Sequence, residues 1–290
     1  MIKKADAHML PHLKMIWQVC FGDDPKGVDF VFDNLLNPAQ MLVQTDENDR
    51  PVAMLNWKLL RFTSPGQSFS GAYIYGVGTL PEQRGKGIST ALMEKAHELL
   101  QRQAVQLSCI VPAEKSLFDF YAARGFETWF YHKTVRISRE DIPKPSRQGV
   151  LSAAALEDLH KQRSQAFGSR ALFGDWDAGY LRYTGRECRF YGGEILRFST
   201  EGSQGYLACY PRADGILVKE AAVAAGEIGT LLAALDARYR AKHYELRLPV
   251  DFELKEEWAA EILPFAMVKW YDKKNAPDMG CAPWFAFGLD

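Results

Sequence analysis

The sequence predicts an α/β (α+β) fold in two tandem domains, residues 1–138 and 150–290, with a linker over 139–149. Three observations carry this reading. The chain has 290 residues, and a typical domain has roughly 100–200. The order helix, strands, helix, strand occurs twice along it. Between the two occurrences lies Ser138-Arg-Glu-Asp-Ile-Pro-Lys-Pro-Ser-Arg-Gln-Gly149, with little apolar content and two prolines.

The elements follow in order. Leu10, Leu13, Ile16, Trp17 and Cys20 sit at helical spacing and predict a helix over about 8–20, with a shorter one near 27–36. Strand-like runs at about 40–45, 51–62 and 69–80 are divided by the turn-rich segments Asp46–Arg50 and Thr63–Gln67, and the last two runs read as an antiparallel hairpin. Ile88, Leu92, Ala96 and Leu99 make the apolar stripe of a helix over about 86–102. A short apolar strand at about 105–111, a helix at about 114–124 stopped by Gly125, and a strand at about 126–137 complete the first half. In the second half a helix is expected at about 155–168, strands near 187–199, 204–211 and 214–223, a helix at about 227–241, and a strand at about 243–249.

Composition excludes several classes of function. Apolar residues make up 47% of the chain, charged residues 24%, and the formal net charge is -1, so neither a nucleic-acid nor a membrane surface is indicated. The five cysteines are odd in number and form no C-x-x-C pair, which argues for buried thiols in a reducing compartment. His8 and His12 have ligand spacing but no third partner, so no metal is expected. The N-terminus shows no apolar run of signal or membrane length, and a cytoplasmic location is expected. The oligomeric state stays open.

The chemistry concentrates in Tyr75-Gly-Val-Gly-Thr-Leu-Pro-Glu-Gln-Arg-Gly-Lys-Gly-Ile-Ser-Thr90. A β run ends at a proline, and Arg84-Gly85-Lys86-Gly87 then opens an amphipathic helix. The first turn of a helix offers unpaired N–H groups and the positive end of its dipole, glycines allow close backbone approach, and Arg84 and Lys86 add charge. This is an anion site. It is not a P-loop, because six residues rather than four separate Gly78 from Gly85, and Gly87 stands where Ser or Thr should hold magnesium. It is not a dinucleotide fingerprint either, since Thr90 takes the third glycine's place.

The segment resembles the acetyl-CoA signature of the GNAT family, Gln/Arg-x-x-Gly-x-Gly/Ala, through Arg84, Gly87 and Ser89, the last a departure to another small residue. The resemblance implies acetyl-CoA as co-substrate. Val77, Gly78 and Thr79 would flank the pantetheine arm like an added strand, and the amides of Arg84, Gly85, Lys86, Gly87, Ile88, Ser89 and Thr90 would hold the pyrophosphate. Phe120-Tyr121-Ala-Ala-Arg-Gly125-Phe126 is similar to a second family pattern, which makes Tyr121 the proton donor to the departing thiolate. The acceptor would then be a primary amine, on a small molecule or a peptide, attacking directly in a ternary complex. A non-catalytic acyl-CoA-binding module is the alternative, because the glutamate many members carry on the strand before the loop is absent; Tyr73 and Tyr75 stand in that run.

The chain also resembles tandem acetyltransferases of the enhanced-intracellular-survival type. That implies two GNAT-like domains, each a mixed, mostly antiparallel sheet flanked by helices, the second degenerate. Gly226-Glu-Ile-Gly229 opens the corresponding helix with a glutamate, which would repel a pyrophosphate. The resemblance also implies an apolar C-terminal tail, Cys281–Asp290, that returns to the first domain and presents the Asp290 terminal carboxylate as the base. A further C-terminal domain of larger members is not expected. Trp17, Phe21, Trp57, Trp129, Phe130, Trp176 and Tyr180 are candidates for the cleft wall, although core packing suits each better. Asp23, Asp24, Asp175 and Asp177 are candidates to attract a cationic amine.

Overall fold

The computed structural model describes residues 1–278 and 280–289. The first half runs β1 (Ile2–Lys4), α1 (Leu10–Phe21), α2 (Pro25–Asn34), β2 (Met41–Thr45), β3 (Pro51–Ser64), β4 (Gln67–Thr79), α3 (Ile88–Arg102), β5 (Leu107–Ile110), α4 (Lys115–Ala122) and β6 (Glu127–Ser138). Local chemistry sets these boundaries. Gly22 ends α1 at φ 78°, and Asp24 starts α2 by accepting a hydrogen bond from Gly27 N ahead of Pro25. Pro65-Gly66 closes the β3–β4 hairpin, with Gly66 at the φ of 77° that this kind of turn requires.

The second half runs β7 (Val150–Ala153), α5 (Leu156–Phe167), β8 (Phe173–Asp175), α6 (Ala178–Phe190), β9 (Glu194–Ser199), β10 (Gln204–Pro211), β11 (Gly215–Ala222), α7 (Ile228–Tyr239), β12 (His243–Leu248) and β13 (Ala260–Trp270). Here the pattern reading needs correction. The strand expected over 187–199 is the end of α6 followed by β9. Asp177 caps α6 by accepting from Tyr180 N, and Tyr180, Leu181, Thr184 and Cys188 bury one helical face. The strand β13 has no alternating signature: its first five residues are exposed, and its pairing slips around Pro264.

Among the described residues one sheet contains thirteen strands, in the order β1-β2-β3-β4-β5-β13-β6-β12-β11-β10-β9-β7, with β8 beside β3. The two halves exchange their last strands. β6, from the first half, pairs antiparallel with β12 of the second. β13, from the second half, inserts between β5 and β6 of the first. Helix α3 covers one face of the first half through Leu92, Met93, Ala96 and Leu100. Helix α7 covers one face of the second through Leu231, Leu232 and Leu235. The remaining faces share a single core, built from α1, α2, α5, α6 and the C-terminal residues. Among the described residues no helix is long and apolar enough to cross a membrane.

One buried group makes the first half acid-sensitive. His97 on α3 is 5% exposed, and its Nε2 lies 3.3 Å from Ser108 Oγ. Burial, with the charge of Lys269, pushes its pKa down from 6.5 to about 3. The folded state therefore holds the imidazole neutral where the unfolded chain takes up a proton. Stability present above pH 6.5 is lost as pH falls towards about 3. The melting temperature is expected to drop across that window, and His97→Gln to drop less steeply; parallel slopes in a pH series of thermal melts would assign the acid sensitivity elsewhere.

Candidate active site

β4 carries most of the site. It pairs in parallel with β5 only over Gly71–Ile74 and Leu107–Ile110, so its edge beyond Ile74 has no strand beside it there. Across β3 the register slips: Met54 faces Gly78 but Asn56 faces Tyr75, which leaves an extra residue on β4. Gly76 takes φ 57° in this bulge, and a Cβ there would meet Trp17 Cζ3 at 2.7 Å and Asn56 Nδ2 at 2.8 Å. A bulge re-aims side chains and is common beside active sites. Here it separates Tyr73 and Tyr75, which face the shared core, from the open segment Val77–Thr79.

After β4 the chain makes one short turn at Pro81–Gln83 and enters α3 at Ile88. Gly87 caps α3 with no side-chain hydrogen bond, so the first-turn N–H groups are free for a ligand. Gly85 and Gly87 have φ 77° and 75°, and a Cβ at either would meet nothing within 4 Å. The loop is held from below. Arg84 Nε donates to Thr79 O at 3.1 Å, and Thr79 Oγ1 lies 2.9 Å from Ser89 Oγ. Ser89, the departure from the family pattern, thus supplies a hydroxyl that ties the helix start to the strand end. Lys86 is exposed, with Nζ 2.9 Å from Gln83 Oε1.

Sequence reasoning missed Arg124. Its Nε and Nη2 donate to Thr90 Oγ1 at 3.0 and 2.6 Å, and its guanidinium lies 3.4 Å from the Phe120 ring centroid. A fixed cation thus stands beside the first turn of α3, brought there from the end of α4. The only sequence clue is its place in the Tyr121–Gly125 pattern.

A cavity of about 550 Å³ opens between the halves. Tyr121, Leu117 and Val111 line one side, and Tyr73, Tyr75, Gly76 and Val77 the sheet side. Trp17, Cys20, Phe21 and Asp23 come from α1 and the residues after it; Tyr183, Glu187 and Tyr191 from α6 and its end; Tyr210 and Lys219 from the second half's sheet. Tyr121 is 5% exposed, and burial raises its pKa to about 12 against the opposing charge of Arg124. Burial likewise pushes the Tyr75, Tyr183 and Tyr210 phenols up, so these three stay neutral.

Of the seven candidate aromatic residues, only Trp17 and Phe21 reach this cavity. Trp57, Phe130, Trp176 and Tyr180 are core, and Trp129 lines a shallow pocket on another side with Asp251 and Cys281. Of the four acids, Asp23 lines the cavity and accepts from Trp17 Nε1 at 2.7 Å. Asp24 and Asp177 cap α2 and α6, and Asp175 is buried against Arg61 and His160. Glu187, absent from the expected set, is the second acid in the wall, and it accepts from Tyr210 Oη at 2.5 Å. The helical face that presents it was hidden by the strand reading of 187–199.

The C-terminal residues lead to the same cavity, which Leu289 lines. Trp284, Phe285, Ala286 and Phe287 are between 0 and 5% exposed. Three donors hold their carbonyls: His132 Nε2 to Phe285 O at 2.8 Å, Trp176 Nε1 to Ala286 O at 2.7 Å, and Tyr180 Oη to Phe287 O at 2.7 Å. Phe287 has φ 61°, a left-handed turn unusual for a bulky residue. The turn leads to Leu289, whose N donates to Tyr73 Oη at 2.9 Å and whose side chain lines the cavity with Tyr121. Asp290 lies outside the described residues.

Comparison with known proteins agrees with this fold. The acetyltransferase (GNAT) domain family matches residues 1–129. No curated protein matches the chain. Solved structures do. A probable N-acyltransferase of unknown function from Enterococcus faecalis V583 is 18% identical with a TM-score of 0.75, over 93% of this chain and 72% of its own. A GCN5-related N-acetyltransferase from Anabaena variabilis is 16% identical with a TM-score of 0.75, over 92% and 72%. Eis1 from Mycobacterium abscessus is 15% identical with a TM-score of 0.71, over 94% and 74%. Residues 1–129 therefore match the acetyltransferase (GNAT) domain family, and the chain over nearly all its length shares the fold of these solved structures.

Proposed function

We propose that this chain is an acetyl-CoA-dependent N-acetyltransferase acting on a primary amine by direct attack. The observation that carries the reading is the single cavity that joins Tyr121 and the open β4 edge to the end of the C-terminal tail and to two acids, Asp23 and Glu187.

The residues fit acetyl-CoA. The uncapped first turn of α3, the open space at Gly85 and Gly87, and the Arg124 guanidinium suit a pyrophosphate. The unpaired β4 edge at Val77–Thr79 suits the amide-bearing pantetheine arm. When bound, acetyl-CoA supplies an activated acyl thioester. The protein's own residues supply position and proton transfer. An alkyl ammonium, with a pKa of about 10.4, must lose its proton before it attacks. Asp23 and Glu187 draw the cation in, and the Asp290 terminal carboxylate, one residue beyond Leu289, takes the proton. Tyr121 gives its proton to the departing sulfur, whose conjugate thiol has a pKa of about 8.5, and the proton left on the acylated nitrogen restores the phenol. Holding amine and thioester together in a cavity closed by both halves provides much of the acceleration.

Thiol release from acetyl-CoA across a panel of primary amines tests the reading, alongside calorimetric binding. Amine-dependent release is expected. Tight binding with no release on any amine would replace it with the binding-module reading. The loop has its own test. Gly87→Val forces a β-branched residue to φ 75° and places its side chain where a phosphate would approach. KM for acetyl-CoA is expected to rise about tenfold or more with kcat little changed, given ~1–2 kcal/mol of backbone strain plus lost contacts. An unchanged KM would move the pyrophosphate elsewhere.

A further inference from the structure

Strand β11 carries one residue too many. Ala208 pairs with Glu220 and Cys209 with Val218, so Lys219 has no opposite number on β10. Val218 and Ala221 pack towards α7. The bulge turns both Lys219 and Glu220 to the opposite face. Lys219 lines the cavity, and Glu220 is buried completely behind it.

The Glu220 carboxylate accepts four hydrogen bonds. Arg163 Nε gives one to Oε1 at 2.8 Å and Arg163 Nη2 one to Oε2 at 3.0 Å. Tyr206 Oη donates to Oε1, and Trp284 Nε1, from the C-terminal tail, donates to Oε2 at 2.8 Å. Arg163 is 1% exposed. Its Nη1 donates to Gly174 O at 3.3 Å, and its guanidinium lies 4.9 and 5.1 Å from the Phe173 and Phe287 ring centroids. Gly174 N in turn donates to Trp284 O at 3.1 Å. Gly174 and Trp284 thus tie this network to the tail and to the strand beside it.

A buried ion pair is a poor source of net stability, because desolvation offsets its attraction, and an apolar pair of equal volume is often as stable or more so. What it contributes is direction. Trp284-Phe-Ala-Phe287 is apolar, and apolar contact alone permits sliding. A slip of one residue along the extended segment would move the chain end by about 3.3 Å and reverse its side chains. The indole N–H on Glu220 permits one register only.

We propose that Arg163 and Glu220 are positioning residues that fix the register of the C-terminal tail and so the place of Leu289, one residue before Asp290, in the cavity. This rests on the reading of the Asp290 terminal carboxylate as the base. The experiment compares the parent, the double variant Arg163→Met/Glu220→Leu, Trp284→Phe, and a chain lacking Asp290, each by thermal melt and by the pH profile of kcat/KM. The double variant is expected to fold but to melt below the parent, because the buried Tyr206 Oη and Trp284 Nε1 lose their acceptor. It should lose about 30-fold or more of its kcat/KM at pH 7, the deficit shrinking towards pH 10 as the amine deprotonates in solution. Trp284→Phe, which removes the N–H together with part of the buried ring, should show the same pH-dependent deficit at about threefold or more. A folded double variant with the parent's rate and profile overturns the proposal. If the double variant does not fold, an unchanged profile for Trp284→Phe overturns it equally. Full activity without Asp290 would instead refute the base reading on which the proposal stands.

Discussion

Removing Gly288–Asp290 is expected to leave a folded, acetyl-CoA-binding protein that turns over about 100-fold or more slowly at pH 7, the usual scale of a lost general base. The fold should tolerate the cut because the tail is anchored upstream. The carbonyls of Phe285, Ala286 and Phe287 keep their donors, and Trp284 keeps Glu220. Among the described residues, the Leu289 N–Tyr73 Oη bond and the Leu289 contact are lost. The donor loop and Arg124 lie on other elements, so acetyl-CoA affinity should hold. The residual rate should climb with pH, since each unit below the amine pKa costs about tenfold in free amine. Thiol release measured from pH 6 to 10, beside a thermal melt, decides the matter. Unchanged turnover in a folded truncation would remove the terminal carboxylate from the chemistry.

Tyr121→Phe is the second large effect. Burial raises the phenol to about 12, so the neutral, proton-donating form persists across the working range. The sign matters: a raised pKa rules the residue out as a base near neutrality and suits it to donate. kcat is expected to fall about 100-fold, with KM for acetyl-CoA changed about twofold or less, because a general acid acts in the transition state. The parent should show no alkaline loss of activity from Tyr121 ionisation below about pH 10. An acyl donor whose thiol is more acidic needs less help in leaving, so the defect should shrink with it. A Tyr121→Phe variant equally impaired on both donors would assign the tyrosine a packing role instead.

The proposed donor half of the site is legible because its determinants are consecutive. Val77–Thr90 is a strand end, a turn and a helix start, and each residue's part follows from glycine freedom and unpaired amides. Even the Ser89 departure has a local account in its contact with Thr79. Arg124 was harder, since its value depends on α4 packing against α3, which no spacing reveals. Glu187 was hidden by an apparent strand over 187–199. The tail was suspected from its apolar composition and from resemblance. Its path depends on His132, Trp176, Tyr180 and Glu220, at sequence separations of 153, 110, 107 and 64 residues from their partners.

By itself the sequence determined the α/β class, most helices and strands, and a glycine-rich turn that opens a helix, because periodicity, turns and helix starts are set by neighbours along the chain. Tertiary structure decided the rest. The exchange of β6 and β13 knits both halves into one sheet, the bulge on β11 turns Glu220 inward, and the tail reaches the cavity beside Tyr121. Each of these depends on pairing and burial between residues far apart, where one register satisfies the buried polar groups and a shift by one would leave them unpaired.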